Sequence, residues 1–460
     1  GNKVTCSSDA DMWLNEGWAR WCETLYREKL YGTESAKNNM RSLMRNVLQY
    51  IHTTEGGYRP LSPMPSEYTY GDNVYDKGGM TVHALRGHMG DSLFFNGVQT
   101  YLSTFAFKPA SSYDLRDALS ASSGIDLTDF FNFHVFGPGF NQCSVDSFKV
   151  YPAGNEFDIE VFMKQRLKGT DVYAMDCRSE LAFMNDLWQT ETRKISFQGS
   201  HGSALFRLPF IPALVMTDLN EKSGDATTDQ YKIIKTTGLY DFTDTFFKLD
   251  VTEISDSAFV RITHNWVPPD SLRIPQSGLK LSDYRYWSVE GIFPEGFHAT
   301  GRFSYNRNGY LDNTLLTNSA DSLVILYRPD ASSDWLPVSF TKTGPWQIGT
   351  IYVPQLRPGD YTLAVWDAVY VGSNLIPDDD QLFRVYPNPA TGVVNIETNA
   401  RHTGVLSIHD TSGKLVYLTD VAAENQHFRW NCSLNNRGTY LVSLISSQGC
   451  TSSKKILIQP

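Results

Sequence analysis

The stretch Asp11-Met12-Trp13-Leu14-Asn15-Glu16-Gly17-Trp18-Ala19-Arg20 decides how the first part of the chain is read, because it sets a carboxylate inside a tryptophan-rich, otherwise apolar segment. Leu14, Trp18, Trp21 or Cys22, and Leu25 recur at helical spacing, and Ser7, Ser8 and Asp9 offer an N-cap, so a buried amphipathic helix is expected. Gly17 costs about 1 kcal/mol of helix propensity relative to alanine, which implies a close neighbour at that turn. A carboxylate buried there without a partner is costlier still, so Glu16 is expected to meet a cation, a metal or several donors. An ion pair with Arg20 or Arg27 is the simplest such partner.

Outward from that helix the pattern stays helical from Gly1 to about Gln142. Met40, Leu43, Met44, Val47 and Ile51 form the apolar stripe of a packed helix. Residues 53–70, interrupted by Gly56, Gly57, Pro60, Pro63 and Pro65, read as a long polar loop over a cleft. Asp72 or Asn73 can cap the helix expected over residues 74–86, which places Tyr75 in its first turn. Taken alone, Tyr75 reads as a packing tyrosine, Lys77 as a solvated or salt-bridged lysine, and His83 as a helix-surface histidine.

Pro138 and Gly139 stop the helical pattern, and beyond Cys143 the apolar period becomes two. Residues 157–164 alternate over most of their length, and 204–206, 231–234 and 258–262 are further short β-rich runs. A β-sandwich over 143–265 and a second β-rich domain over 266–383 are expected. Neither carries histidine, cysteine or acidic residues at ligand spacing. After the polar break at residues 377–380, short strands at 393–396, 405–408, 414–417, 440–444 and 455–458 mark a separate small sandwich.

The chain has 460 residues and a net charge of −10, with no long basic run, which argues against nucleic acid and anionic membranes as partners. It has no apolar run of about eighteen residues that could span a bilayer as a helix. The six cysteines form no C-x-x-C pair and no zinc-finger spacing. Cys432 with Cys450, or Cys6 with Cys22, could form disulfides; six buried free thiols is the alternative.

Two resemblances organise these readings. Trp13-Leu14-Asn15-Glu16-Gly17-Trp18-Ala19, followed by Tyr75-Asp76-Lys77-Gly78, resembles the N-E-G and Y-x-K-G segments of the gluzincin zinc aminopeptidases. That resemblance implies a fold class: multidomain α+β, with residues 1–142 the helical second half of a gluzincin catalytic domain, then β-sandwich domains. It implies Glu16 as the third ligand of one zinc ion, Tyr75 as hydrogen-bond donor to the oxyanion of a tetrahedral intermediate, and peptides as substrates. The family's two histidine ligands and general-base glutamate lie in H-E-x-x-H, whose second histidine would fall roughly four residues before Gly1. No H-E-x-x-H occurs among the ten histidines, so the chain is expected to be a fragment, inactive alone.

The second resemblance lies at the other end. Tyr386-Pro387-Asn388-Pro389, then Asp410-Thr411-Ser412-Gly413-Lys414, then Arg437-Gly438-Thr439-Tyr440 is similar to the C-terminal sorting domain of the type IX secretion system, here residues 384–460. It implies an immunoglobulin-like module, the secretion machinery as partner, and a secreted or outer-membrane surface location in a bacterium. A generic immunoglobulin-like repeat is the alternative for this module. For the whole chain the alternative is a surface-displayed binding or structural protein on a degenerate peptidase scaffold.

Overall fold

The computed structural model describes residues 2–368, 383–398, 403–422, 426–433, 435–446 and 451–459. The leading segment folds as helices α1 (Trp13–Tyr31), α2 (Thr33–Asn46), α3 (His52–Thr54, one turn), α4 (Gly78–Met89), α5 (Asp91–Thr104), α6 (Ser112–Ser123) and α7 (Thr128–His134). Wider π-helical turns at Val47–Ile51 and Asn73–Lys77 extend α2 and open α4. Trp13, Leu14 and Trp21 of α1 are buried with Val74, Phe94, Leu115, Leu119 and Phe131, forming one core among the helices.

The expected side-chain cap of α1 is not there. Ser8 makes no capping bond, and a 3-10 turn at Asp9–Asp11 leads into the helix instead. The Asp11 carboxylate accepts from the hydroxyls of Ser62 and Ser112, tying the long loop and α6 to the start of α1. That loop is also no free flap: Leu61 and Met64 are buried in the helical core, and its amides donate to Val135 and Ala10 carbonyls. Those two apolar side chains anchor the loop, and buried Ser62 between them is bonded to Asp11.

Met40, Leu43, Met44, Val47 and Ile51 are all buried, in a core that the helices share with the β region rather than in a helical core alone. Strands Phe140–Ala153, Glu156–Lys168 and His201–Leu208 form one antiparallel sheet. Thr190–Phe197, Cys177–Met184 and Leu214–Thr217 form a second, and the two enclose a small sandwich core that includes Val161, Leu181, Phe183 and Phe197.

A larger sandwich follows, with a five-stranded and a seven-stranded sheet. The seven-stranded sheet corrects the expected domain boundary near residue 265. Ala258–Asn265 pairs with Thr227–Ile234 on one edge and with Tyr286–Ile292 on the other, so 265/266 falls between neighbouring strands of one sheet. The first sandwich ends with Leu214–Thr217, and the second runs from Thr227–Ile234 to Gly359–Trp366.

The last module is a three-stranded sheet facing a four-stranded one, around Val394, Ile396, Leu406, Trp430, Val442 and Ile456. The chain as a whole is a multidomain α+β protein. No helix among the described residues is long and apolar enough to cross a membrane. Cys450 lies outside the described residues, so the Cys432–Cys450 pairing does too. Cys6 and Cys22 are not joined: Cys6 sits beside Asn15 and Met12, while Cys22 is exposed on α1.

Candidate active site

Gly17 explains the geometry around Glu16. A Cβ at Gly17 would lie 2.8 Å from the Gly78 Cα, and one at Gly78 would lie 2.9 Å from the Gly17 Cα. Two glycines therefore let the backbones of α1 and α4 touch, and the turn carrying Tyr75 is drawn against the turn carrying Glu16. Asn15 fixes the other side: its side chain accepts from the Cys6 amide at 3.2 Å and donates to the Thr5 hydroxyl at 3.3 Å.

Glu16 itself is half-buried, not sealed among indoles as the sequence suggests. Trp18 stacks on Phe94, with ring centroids 6.0 Å apart. Neither arginine is its counter-ion. Arg20 binds Asp76 at 2.8 Å and Glu23 at 2.6 Å, and no ion pair among the described residues involves Glu16. The nearby polar group is the Tyr75 hydroxyl. Burial first, then the charge and hydrogen-bonding of Glu16, raise that phenol above its ordinary pKa. A phenol held protonated is a donor at neutral pH without a charge of its own.

The Tyr75 turn is held by a residue far away in sequence. Asp72 and Asn73 do not cap it with their side chains; the Glu55 carboxylate accepts from the amides of Asp72 and Asn73 and from the Asn73 side chain at 2.8 Å. A carboxylate at a helix start satisfies otherwise free amides and complements the helix dipole. Asp76, next to Tyr75, is locked between Arg20 and the Asn46 side chain at 2.7 Å. Rigid neighbours on both sides fix where the phenol points.

Lys77 and His83 differ from their expected surface roles. Lys77 is buried, donates to the Arg59 carbonyl at 2.6 Å and lies over the Phe140 ring; burial pulls its pKa down to about 7. His83 is half-buried against the β region, bonded to the Glu221 carbonyl at 2.7 Å, and burial lowers it to about 4. Lys77 is thus engaged by the loop and the first strand of the β region, and His83 by the β region.

Residues 1–134 match the Peptidase family M1 domain, and residues 384–459 match a secretion system C-terminal sorting domain. A Peptidase M1 domain and a type IX sorting domain are both found. Among curated relatives, "Probable aminopeptidase 2" of Sulfurisphaera tokodaii is 29% identical over 135 residues, 28% of this chain and 17% of that protein. "Alanine/arginine aminopeptidase" of Saccharomyces cerevisiae is 30% identical over 156 residues, 32% of this chain and 18% of that protein. "Aminopeptidase N" of Lactococcus lactis subsp. lactis is 27% identical over 155 residues, 32% of this chain and 18% of that protein. The chain thus spans less than a fifth of the length of these relatives. The sorting domain indicates export or a cell-surface location in bacteria.

The M1 family is one of zinc enzymes, which sets what a metal site here would need. Among the described residues no group of three or more histidine, cysteine or acidic side chains is arranged to hold a metal. A catalytic zinc takes three protein ligands. Glu16, half-buried and without a cationic partner among the described residues, offers one carboxylate toward such a set.

Proposed function

We propose that this chain is part of an exported zinc aminopeptidase, with Glu16 as third zinc ligand and Tyr75 as oxyanion donor. The observation that supports this is the Gly17–Gly78 contact, which sets a carboxylate with no cationic partner among the described residues beside a protonated phenol. Two histidine ligands and a general base would come from residues outside these 460, since the sequence contains no H-E-x-x-H. When bound, zinc would supply Lewis-acid polarisation and lower the pKa of water.

The chain's own residues do the rest of the positioning. Glu16 offers a carboxylate from a helix pinned by Asn15 and by the glycine contact. Tyr75 offers one O–H, aimed by a turn that Glu55 caps and Asp76 braces, to an oxygen that gains charge as a peptide carbonyl becomes tetrahedral. Peptides with a free N-terminus are the proposed substrates. Residues 384–460 would be recognised by the type IX secretion machinery, leaving the protein secreted or on the outer membrane surface.

The test is hydrolysis of an aminoacyl-anilide by the longest natural form of the protein and by its Tyr75→Phe variant. The variant is expected to lose about 10²–10³ in kcat with KM little changed. An undiminished kcat would refute the role of Tyr75. Zinc-dependent hydrolysis by the 460-residue chain alone would refute the assignment of the remaining ligands elsewhere. If the longest form hydrolyses nothing, a surface-displayed binding or structural role replaces the enzymatic one.

A further inference from the structure

Away from Glu16 and Tyr75, the first sandwich brings two cysteines together. Cys143 lies on Phe140–Ala153 and Cys177 begins Cys177–Met184, strands that belong to the two different sheets. Their sulfurs are 2.9 Å apart, in a buried position where the Asn141 side-chain amide lies 3.7 and 3.6 Å from them. Covalent S–S bonds measure about 2.0 Å, so the gap is closed by small side-chain rotations.

The proximity does not come from a loose loop. Cys143 is opposite Gln165 in one ladder and Cys177 is opposite Phe197 in the other. The Cys143 amide also donates to Asp225 at 3.1 Å. Both residues sit in the sandwich core among Val161, Leu181 and Phe197, so the backbone holds the sulfurs face to face. Both also line a cavity of about 490 Å³, whose wall includes His83 and His88 of α4 and gives a small thiol reagent a way in.

We propose that Cys143 and Cys177 form a disulfide that joins the two sheets of the first sandwich when a disulfide donor is present. One cysteine, as thiolate, attacks the donor's S–S bond, which breaks to release one donor thiol and leaves a mixed disulfide. The second cysteine then attacks the mixed disulfide, giving Cys143–Cys177 and the second donor thiol. Two protons and two electrons pass from the cysteines to the donor. The inference draws on the export reading only for the compartment, because exported chains meet such oxidants and cytosolic ones do not. The contact with Cys177, burial, and the Asp225 and Asp218 carboxyls all push the Cys143 thiol well above its ordinary pKa. Exchange in the closed sandwich is therefore slow, and the bond, once made, is shielded.

The experiment equilibrates the full 460-residue chain with oxidised and reduced glutathione, denatures it without reductant, alkylates it and maps the peptides by mass. The expected result is a Cys143–Cys177 linked peptide pair, two hydrogens lighter than the free peptides, with exposed Cys22 alkylated as the internal control. In addition, dithiothreitol should lower the unfolding midpoint of this chain but not that of the Cys143→Ala/Cys177→Ala double variant. Alkylation of both Cys143 and Cys177 in the unchanged chain would overturn the proposal, whether or not the variants fold. That outcome would leave the peptidase reading untouched, since neither sulfur belongs to it.

Discussion

Replacing Gly17 by alanine sets two known effects against each other, and the structure says which one wins. Helix propensity alone favours the change by about 0.8–1.0 kcal/mol. The added Cβ, however, would meet the Gly78 Cα and carbonyl carbon at 2.8 Å and the Val74 carbonyl oxygen at 3.0 Å. These are backbone atoms of the Tyr75 turn and of α4, so relief requires the helices to part. Overpacking of this kind costs roughly 1–3 kcal/mol, and the turn is braced by Glu55 and Asp76, which puts the cost in the upper half of that range. The net expectation is a destabilisation of about 1–2 kcal/mol.

The assay is urea unfolding followed at the helical circular dichroism band, with Ala19→Gly as reference. Ala19 is exposed on the same helix, so its replacement measures propensity without packing. That reference should lose about 1 kcal/mol. A Gly17→Ala variant that is stabilised by a similar amount would show that α1 and α4 do not touch there, and the reasoning that brings Glu16 to Tyr75 would be refuted.

Two further outcomes follow from the same geometry. Glu55→Ala removes the carboxylate that caps the Tyr75 turn and should cost about 1–2 kcal/mol in the same unfolding assay; no measurable loss would mean the cap is idle. His134 is pulled by burial to a pKa of about 3, against 6.5 as its ordinary value. Between those values the unfolded chain binds a proton that the folded chain does not, so stability is lost as pH falls below 6.5. His134→Phe, which keeps a ring against Phe130 and Phe133, should therefore lose less stability than the parent on going from pH 7 to pH 5, by about 2 kcal/mol. Equal losses in the two proteins would contradict burial as the cause.

How far the sequence spoke for the fold depended on whether each feature was local. The stripe from Met40 to Ile51 was legible because burial of one helix face repeats every three or four residues. The roles proposed for Glu16 and Tyr75 rest on short motifs, and Gly17 betrayed a close neighbour by its cost alone. The cap on the Tyr75 turn was not, because Glu55 sits in a loop whose glycines and prolines conceal its anchoring. Arg20 reads as a partner for Glu16 four residues away, yet it reaches Asp76, which is 56 positions on.

The same distinction holds in the β region. Each strand run has its own alternation, but the sheet that joins residues 227–234, 258–265, 286–292 and 359–366 is assembled across long connections. No local pattern tells which of two sandwiches a strand enters, hence the misplaced boundary at 265. The approach of Cys143 to Cys177 is likewise a product of two sheets folding face to face, invisible in a spacing of 34 residues.

Zinc content tests the central claim most directly. The longest natural form of the protein, its Glu16→Gln variant and its Tyr75→Phe variant are dialysed against a weak chelator and their bound metal is measured. About one zinc per chain should remain in the parent and in Tyr75→Phe, and most of it should be lost from Glu16→Gln, because the proposal makes the carboxylate a ligand and the phenol not. Full retention of zinc by Glu16→Gln would contradict the account.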